Sequence, residues 1–346
     1  MKVLVVKMSS MGDVVHALPA VVEARRELPN LKFHWVVEEG FKCIPETHPQ
    51  VDEVIPIAIR RWRKNWLASL RSGEIAEFCR ILKANHYDLI IDGQGLIKSA
   101  IVGMLAKGSV SGFSWQSARE SLASLTYRRT ITVKKNLHAV ERQRQLFARL
   151  LGYESGGLVD YGLQPATVDS QGSRTIILLH GTSWDSKLWP VANWCSLCRM
   201  AIEEGYEVLI PSGNEGESRR AEAIAANTGA TRLSSIPLSE LISIMGTCSA
   251  AVSVDTGLGH VASALGLPLV AFYGATDPTL TGIHGDLQTV LVSDHLPCIP
   301  CRKRICRYPV EANSSKIYPP CIEHITPEAV WQALQSQILK VNHPPE

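Results

Sequence analysis

The sequence predicts an α/β protein built as two successive doubly wound halves, and three observations predict it. Short apolar runs alternate with helix-length amphipathic segments along most of the chain. That alternation stops once, over the Gly-, Ser- and Pro-containing stretch at 152–173, and then restarts. A chain of 346 residues, 45% of them hydrophobic, also exceeds what one core usually holds. Strands separated by helix-length segments favour mostly parallel sheets with helices on both faces.

In the first half, Val3-Leu4-Val5-Val6 reads as a buried parallel strand. After a tight Gly-containing loop, Val14, Leu18, Val21 and Val22 recur at helical spacing, predicting one helix through Glu27. Residues 33–37 and 54–57 read as strands, 75–84 as a helix and 87–92 as a strand. A helix over 96–105, a strand at 110–113 and an amphipathic helix over 138–151 follow. Residues 152–173 lose periodicity and read as the linker between domains at 1–160 and 172–325. The second half has strands at 175–180, 207–210, 250–254 and 269–273, with helices over 193–204, 217–227 and 238–245. Beyond Asp294 the chain turns irregular and rich in Cys, Pro and Arg, and a helix over 327–339 closes it.

Composition excludes several classes. A net charge of +2 does not by itself imply a nucleic-acid partner. No run of 18 apolar residues suggests a membrane span. The start lacks the layout of a signal peptide, so a cytosolic location is expected. Nine cysteines, an odd number, then read as reduced thiols.

Ligands of open α/β sheets sit past the carboxyl ends of the strands, so the turns there are the candidate sites. The first is Lys7-Met8-Ser9-Ser10-Met11-Gly12-Asp13-Val14-Val15-His16. Asp13 falls where a helix begins and could cap it, or it could take a proton from a hydroxyl nucleophile. In His180-Gly181-Thr182-Ser183-Trp184-Asp185-Ser186-Lys187, hydroxyls and a lysine suit a diphosphate, with Lys187 as a point charge; a plain solvent loop is the alternative. Asp255-Thr256-Gly257-Leu258-Gly259-His260 offers close backbone approach and helix-start N–H groups to an anion, or simply a capped helix. In Pro211-Ser212-Gly213-Asn214-Glu215-Gly216-Glu217, a carboxylate could accept a ribose diol or serve as first-turn charge.

Gly93-Gln94-Gly95-Leu96-Ile97-Lys98 lacks the third glycine of a dinucleotide fingerprint, which argues against a nicotinamide oxidoreductase or epimerase. No Asp-x-Asp triplet occurs, so a carboxylate-held Mg²⁺ is not indicated and no metal or cofactor is expected. Helix termini and cations would neutralise a leaving group instead. Arg60-Arg61-Trp62-Arg63-Lys64, with Lys98, Arg119, His138 and Arg142, could bind a polyanion or be a solvated charged face. No recognised motif supports nucleic acid there. Cys298 and Cys301 have the first spacing of a metal knuckle, but the further spacings to Cys306 and Cys321 are not a standard zinc arrangement. Cys195 and Cys198 fall inside a predicted helix as buried thiols.

The turns at 7–16 and 255–260, together with Trp35-Val36-Val37-Glu38-Glu39-Gly40-Phe41, resemble bacterial lipopolysaccharide heptosyltransferases. The resemblance runs over nearly the whole chain, and residues 54–64 resemble the branch that adds the first heptose of the inner core. It implies a GT-B fold, two Rossmann-like domains facing a central cleft, with a C-terminal helix at about 326–340 packing back on the first. It further implies an ADP-heptose donor, a Kdo-lipid A acceptor, an inverting metal-free reaction, and peripheral contact with the cytoplasmic face of the inner membrane. Asp13 matches the family's catalytic base and Lys187 the lysine that neutralises departing ADP. Thr182, Ser183, Glu217, Asp255, Thr256, Gly257 and His260 match donor-side positions, and Gly259 stands where a serine is frequent. Ser9, Ser10, Arg60, Arg61, Arg63, Lys64, Arg119, His138 and Arg142 match the acceptor side. The cysteine cluster resembles heptosyltransferase II and heptosyltransferases that modify proteins, which leaves transfer of the second heptose as the alternative. A non-catalytic protein binding an anionic glycolipid is the alternative from another class.

Overall fold

Four consecutive side chains, Val3 to Val6, have no solvent exposure. Strand β1 (Lys2–Val6) can bury both faces because it lies inside a parallel sheet. The computed structural model describes residues 1–163, 173–293, 296–308 and 318–342. It divides into two units, Met1–Leu163 and Gln164–Glu346.

The first unit continues through α1 (Met11–Val15), α2 (Leu18–Glu27), β2 (Lys32–Glu38), α3 (Cys43–Glu46), β3 (Glu53–Ile57), α4 (Ile59–Lys64), α5 (Trp66–Arg71) and α6 (Glu74–Ala84). It ends with β4 (His86–Asp92), α7 (Ile97–Leu105), β5 (Lys107–Phe113), β6 (Arg129–Ile131) and α8 (Ala139–Leu151). Its strands are all parallel in the order β3-β2-β1-β4-β5-β6. The order reverses direction between β1 and β4, so Lys7 and Gly93 leave their strands at the switch point.

The second unit runs β7 (Thr175–Leu179), α9 (Val191–Glu203), β8 (Glu207–Ile210), α10 (Glu215–Ala225), β9 (Thr231–Arg232), α11 (Leu238–Met245) and β10 (Ala250–Val254). Then come α12 (Gly257–Ala264), β11 (Leu269–Tyr273), α13 (Pro278–Thr281), β12 (Gln288–Val292), α14 (Pro320–Glu323) and α15 (Pro327–Asn342). The parallel order β12-β11-β10-β7-β8-β9 has its switch point between β7 and β10. Two Rossmann-like sheets are therefore built to one plan.

The structure corrects the sequence reading at several places. The helix expected through Glu27 is two helices, because Pro19 lacks the N–H that would bond the preceding turn and instead starts α2. The basic run at 60–64 is helical, as α4. Strands β6, β9 and β12 escaped detection because each is a short edge strand with little apolar burial. The first part of the expected linker, up to Leu163, belongs to the first unit. Glu23 and Arg144, a buried pair at 2.9 Å, hold Gly156 through its N–H and its carbonyl, and the Tyr161 carbonyl bonds His48. The rest of that linker, and parts of the irregular region beyond Asp294, lie outside the described residues. The C-terminal helix α15, expected to pack back on the first domain, packs in the second unit against α9, β10, β11 and β12. Val330, Trp331 and Leu334 belong to that unit's core, which fixes the helix there. Cys195 and Cys198 are buried in α9, as read. No described helix is long and apolar enough to cross a membrane.

Candidate active site

At the first switch point, Lys7 is buried, and its Nζ donates to the Gly93 carbonyl at 3.0 Å. Gln143 from α8 donates to the same carbonyl at 2.7 Å. A Cβ on Gly93 would stand 2.6 Å from the Gln143 Oε1, so a larger residue there would have to displace the Gln143 amide. Burial lowers the Lys7 ammonium from its ordinary 10.5, against the attraction of Asp13 and Asp92. Asp92, at the end of β4, has no exposure and accepts from Gln94 N, Gly95 N, Ser99 Oγ and Tyr127 OH. Burial nonetheless pushes its carboxyl up.

Asp13 lies at the third position of α1, and its Oδ2 accepts from the Ser10 backbone N–H and hydroxyl, both at 2.9 Å. It therefore does cap its helix, reaching back from within the first turn. Its Oδ1 stands 3.8 Å from Lys7 Nζ, and Arg119 is 4.0 Å from Oδ2. Burial works to raise the Asp13 carboxyl. The Lys7 charge, the Ser10 bonds and Arg119 outweigh it, so its pKa lies below the ordinary 3.8. The side chain is 29% exposed. An ionised, reachable carboxylate is what a proton acceptor needs.

The expected acceptor-side residues are not all alike. Lys98 donates to Ser9 Oγ at 3.4 Å, which ties it to the turn that carries Asp13. Arg142 donates to the Ser117 carbonyl at 2.6 Å and lies over the Phe113 ring, and burial lowers its guanidinium. His138 caps α8 through its Nδ1 and meets His16 edge to face at 5.7 Å. Arg61 is held between Glu39 and Glu74, at 3.1 and 2.7 Å, and Arg60 lies over the Phe41 ring. Arg63 and Lys64 are exposed on α4.

At the second switch point, Lys187 Nζ stands 2.6 Å from Asp255 Oδ2, with both side chains largely buried. Asp255 also accepts from the Thr276 hydroxyl, and its carbonyl accepts from Thr182 at 3.4 Å. Lys187 lies over the Trp184 ring at 4.5 Å. The turn carrying it is pinned from behind, since Ser186 donates through N to the Arg304 carbonyl and through Oγ to the Lys303 carbonyl. Thr256 precedes α12, whose first turn starts at Gly257 without a side-chain cap and so has backbone N–H groups to offer an anion. His260 is buried within α12. A Cβ on Gly259 would meet Ser253 Oγ at 2.6 Å, the reason a serine does not fit there unless Ser253 moves. Ser183 is exposed on the turn.

Glu217 accepts from Gly213 N at 2.7 Å, and a Cβ on Gly181 would meet its carboxyl carbon at 2.6 Å. The carboxylate thus lies against the turns that leave β7 and β8. His180 ties those turns together through the Pro211 carbonyl, and burial pushes it down to about 4, so it is neutral at pH 7. Lys7, Gln143 and Thr276 were not assigned roles from sequence. Lys7 alone carried a local signal, a lysine directly after a fully apolar strand. Among the described residues no group of three or more His, Cys, Asp or Glu is arranged to hold a metal ion. Burial, then the neighbouring thiols of Cys306, Cys301 and Cys298, push Cys321 up to about 11.

The model of glycosyltransferase family 9 (heptosyltransferase) matches residues 75–311. The chain belongs to glycosyltransferase family 9. This heptosyltransferase is 44% identical to lipopolysaccharide heptosyltransferase 1 of Pseudomonas aeruginosa, over 98% of both chains. It is 24% identical to lipopolysaccharide heptosyltransferase 2 of Escherichia coli, over 81% of this chain and 85% of that one. The solved structure of the E. coli heptosyltransferase WaaC with ADP superposes with a TM-score of 0.83 at 38% identity, covering 97% of this chain and all of that one. The fold is GT-B.

Proposed function

We propose that this chain transfers the first heptose of the lipopolysaccharide inner core, from ADP-heptose to the Kdo of Kdo-lipid A. The observation that carries the reading is the full-length similarity to an enzyme named for the first heptose, at 44% identity, set against 24% for one named for the second. The geometry of each switch point supports the chemistry. Asp13, ionised and partly exposed, takes the proton of the attacking Kdo hydroxyl. That oxygen bonds the anomeric carbon as the bond to the ADP phosphate breaks, which inverts the configuration. The charge developing on ADP falls to Lys187 and to the N–H groups starting α12, with the hydroxyls of Thr182, Ser183 and Thr256 beside them. Glu217 takes the ribose hydroxyls, Gly257 lets the backbone approach the diphosphate, and Asp255 and His260 shape the donor pocket.

On the acceptor side, Ser9, Ser10, Arg119, Arg142 and His138 receive the Kdo sugar, and Arg60, Arg61, Arg63 and Lys64 meet its carboxylates and phosphates. The acceptor is a membrane lipid, so the enzyme works as a peripheral protein on the cytoplasmic face of the inner membrane. The test is a product assay with ADP-heptose in EDTA and two acceptors, one carrying Kdo alone and one already heptosylated. Transfer to the Kdo-only acceptor is expected. Transfer only to the heptosylated acceptor would move the enzyme to the second step, and transfer to neither would overturn the reading.

A further inference from the structure

Helix α7 buries Ser99, Ala100, Val102 and Gly103 toward the first sheet. Its outward residues Ile97, Ile101 and Met104 are 42%, 49% and 51% exposed. Their i, i+4, i+7 spacing makes one continuous apolar stripe. The 3-10 turn Ser121–Thr126 packs beside α7, burying Ala123 in the same core while leaving Leu122 and Leu125 56% and 72% exposed. Apolar residues scattered singly on a surface need no explanation, but five large ones on two adjoining elements do.

The charges around this surface have a pattern. Lys98 is the sole charged residue of α7, and the turn Ser121–Thr126 carries none. Exposed Arg119 and Arg128 flank the turn in sequence. The nearby Glu120 is occupied, accepting the Ile97 N–H at 2.7 Å. The surface is also continuous with the first switch point. Lys98 reaches Ser9, and Arg119 reaches Asp13.

We propose that the outer face of α7, with Leu122 and Leu125, docks the protein on an anionic lipid bilayer. The proposal rests on the reading of the acceptor as a membrane lipid. The apolar side chains enter the boundary between headgroups and acyl chains, and Lys98 and Arg128 meet the anionic headgroups. Docked this way, Asp13 lies at the edge of the surface where a lipid-borne sugar emerges. Helix α4 is less suited, because its cations Arg60, Arg61, Arg63 and Lys64 are taken up by the acceptor's own carboxylates and phosphates. A second copy of the chain is also a poorer occupant. A two-fold contact through this face would set its cations against one another, whereas an anionic bilayer complements them.

The test is flotation of the full chain with phosphatidylethanolamine–phosphatidylglycerol vesicles or phosphatidylcholine vesicles, without substrate. Wild type is expected to float with the anionic vesicles, less so at high salt. The double variant Ile101→Glu, Leu125→Glu is expected to lose about tenfold or more of that partition. The milder pair Ile101→Gln, Leu125→Gln serves if the first melts early. Transfer to an acyl-free, water-soluble acceptor stays at the wild-type level, while transfer to vesicle-embedded acceptor falls with partition. A wild type that stays aqueous overturns the proposal, as do variants that bind vesicles unchanged. Sedimentation showing a wild-type dimer that the variants break, with vesicle binding unaffected, also overturns it and assigns the face to a second copy. Failure of the wild type to heptosylate the acyl-free acceptor counts against the first-heptose reading alone, because partition is measured without it.

Discussion

In the first unit Lys7 stands 3.8 Å from Asp13, and in the second Lys187 stands 2.6 Å from Asp255. Both pairs sit at the switch point of a parallel sheet, yet they are partnered differently. Lys7 is buried and bound to the Gly93 carbonyl, so its charge is felt by Asp13 without occupying the carboxylate. Asp13 stays ionised with open surface, the state its proposed role as a proton acceptor requires. In the second unit the carboxylate is the hidden member, gripped by Lys187 and Thr276. There it holds the lysine in place, and the diphosphate proposed to bind would have to compete for it. One pair of residue types therefore leaves an open carboxylate in one setting and a closed ion pair in the other, which suits the base and the electrostatic clamp proposed for them.

The harshest way to break this comparison is Asp13→Asn, which keeps shape and removes the base. Turnover is expected to fall by about 10²–10⁴, with ADP affinity by calorimetry unchanged. A loss under tenfold would remove Asp13 from its proposed role. Next, Lys187→Met is expected to lower kcat by about 10²–10³ and to weaken ADP binding as well. It also strands Asp255, so the melting temperature falls. Adding Asp255→Asn should restore stability without restoring turnover, which separates the clamp from the fold.

Lys7→Met sharpens the other side. In the wild type Asp13 is held below 3.8 because Lys7, Ser10 and Arg119 outweigh burial. The stability this carboxylate contributes is complete above its unfolded pKa and is lost as pH falls through the depressed folded value. Without Lys7, burial is less opposed, and the acidic limb of kcat/KM is expected to move to higher pH. An unmoved limb would assign the lowering to Ser10 and Arg119. The smallest effect is expected for Gly259→Ser, whose Cβ would crowd Ser253 Oγ. A cost of about 1–3 kcal/mol in denaturant melts is anticipated, with Ser253→Ala recovering most of it.

The interior strands were legible because four or five apolar residues in a row identify a strand buried on both faces, as in 3–6 and 269–273. Edge strands such as β6 and β9 were not, since one exposed edge and two or three residues leave no pattern. The α15 helix was legible as a helix but not in its docking, because periodicity marks an apolar stripe without naming the core that receives it. Asp13 could be singled out from its turn, though nothing local said whether it would cap or accept a proton. The structure shows it capping through Oδ2 while Oδ1 faces Lys7.

What the sequence determined by itself is therefore local. Helix and strand periods, glycine-bearing turns and first-turn carboxylates depend on neighbours a few residues away. What only the tertiary structure decided is the electrostatic state of the site. Lys7 meets Gly93 across 86 positions, Gln143 meets the same carbonyl from a further 50, and Thr182 meets Asp255 across 73. Those encounters follow from strand order, which sets the switch points. A carboxylate's pKa and reach are sums over charges and burial that strand order alone brings together.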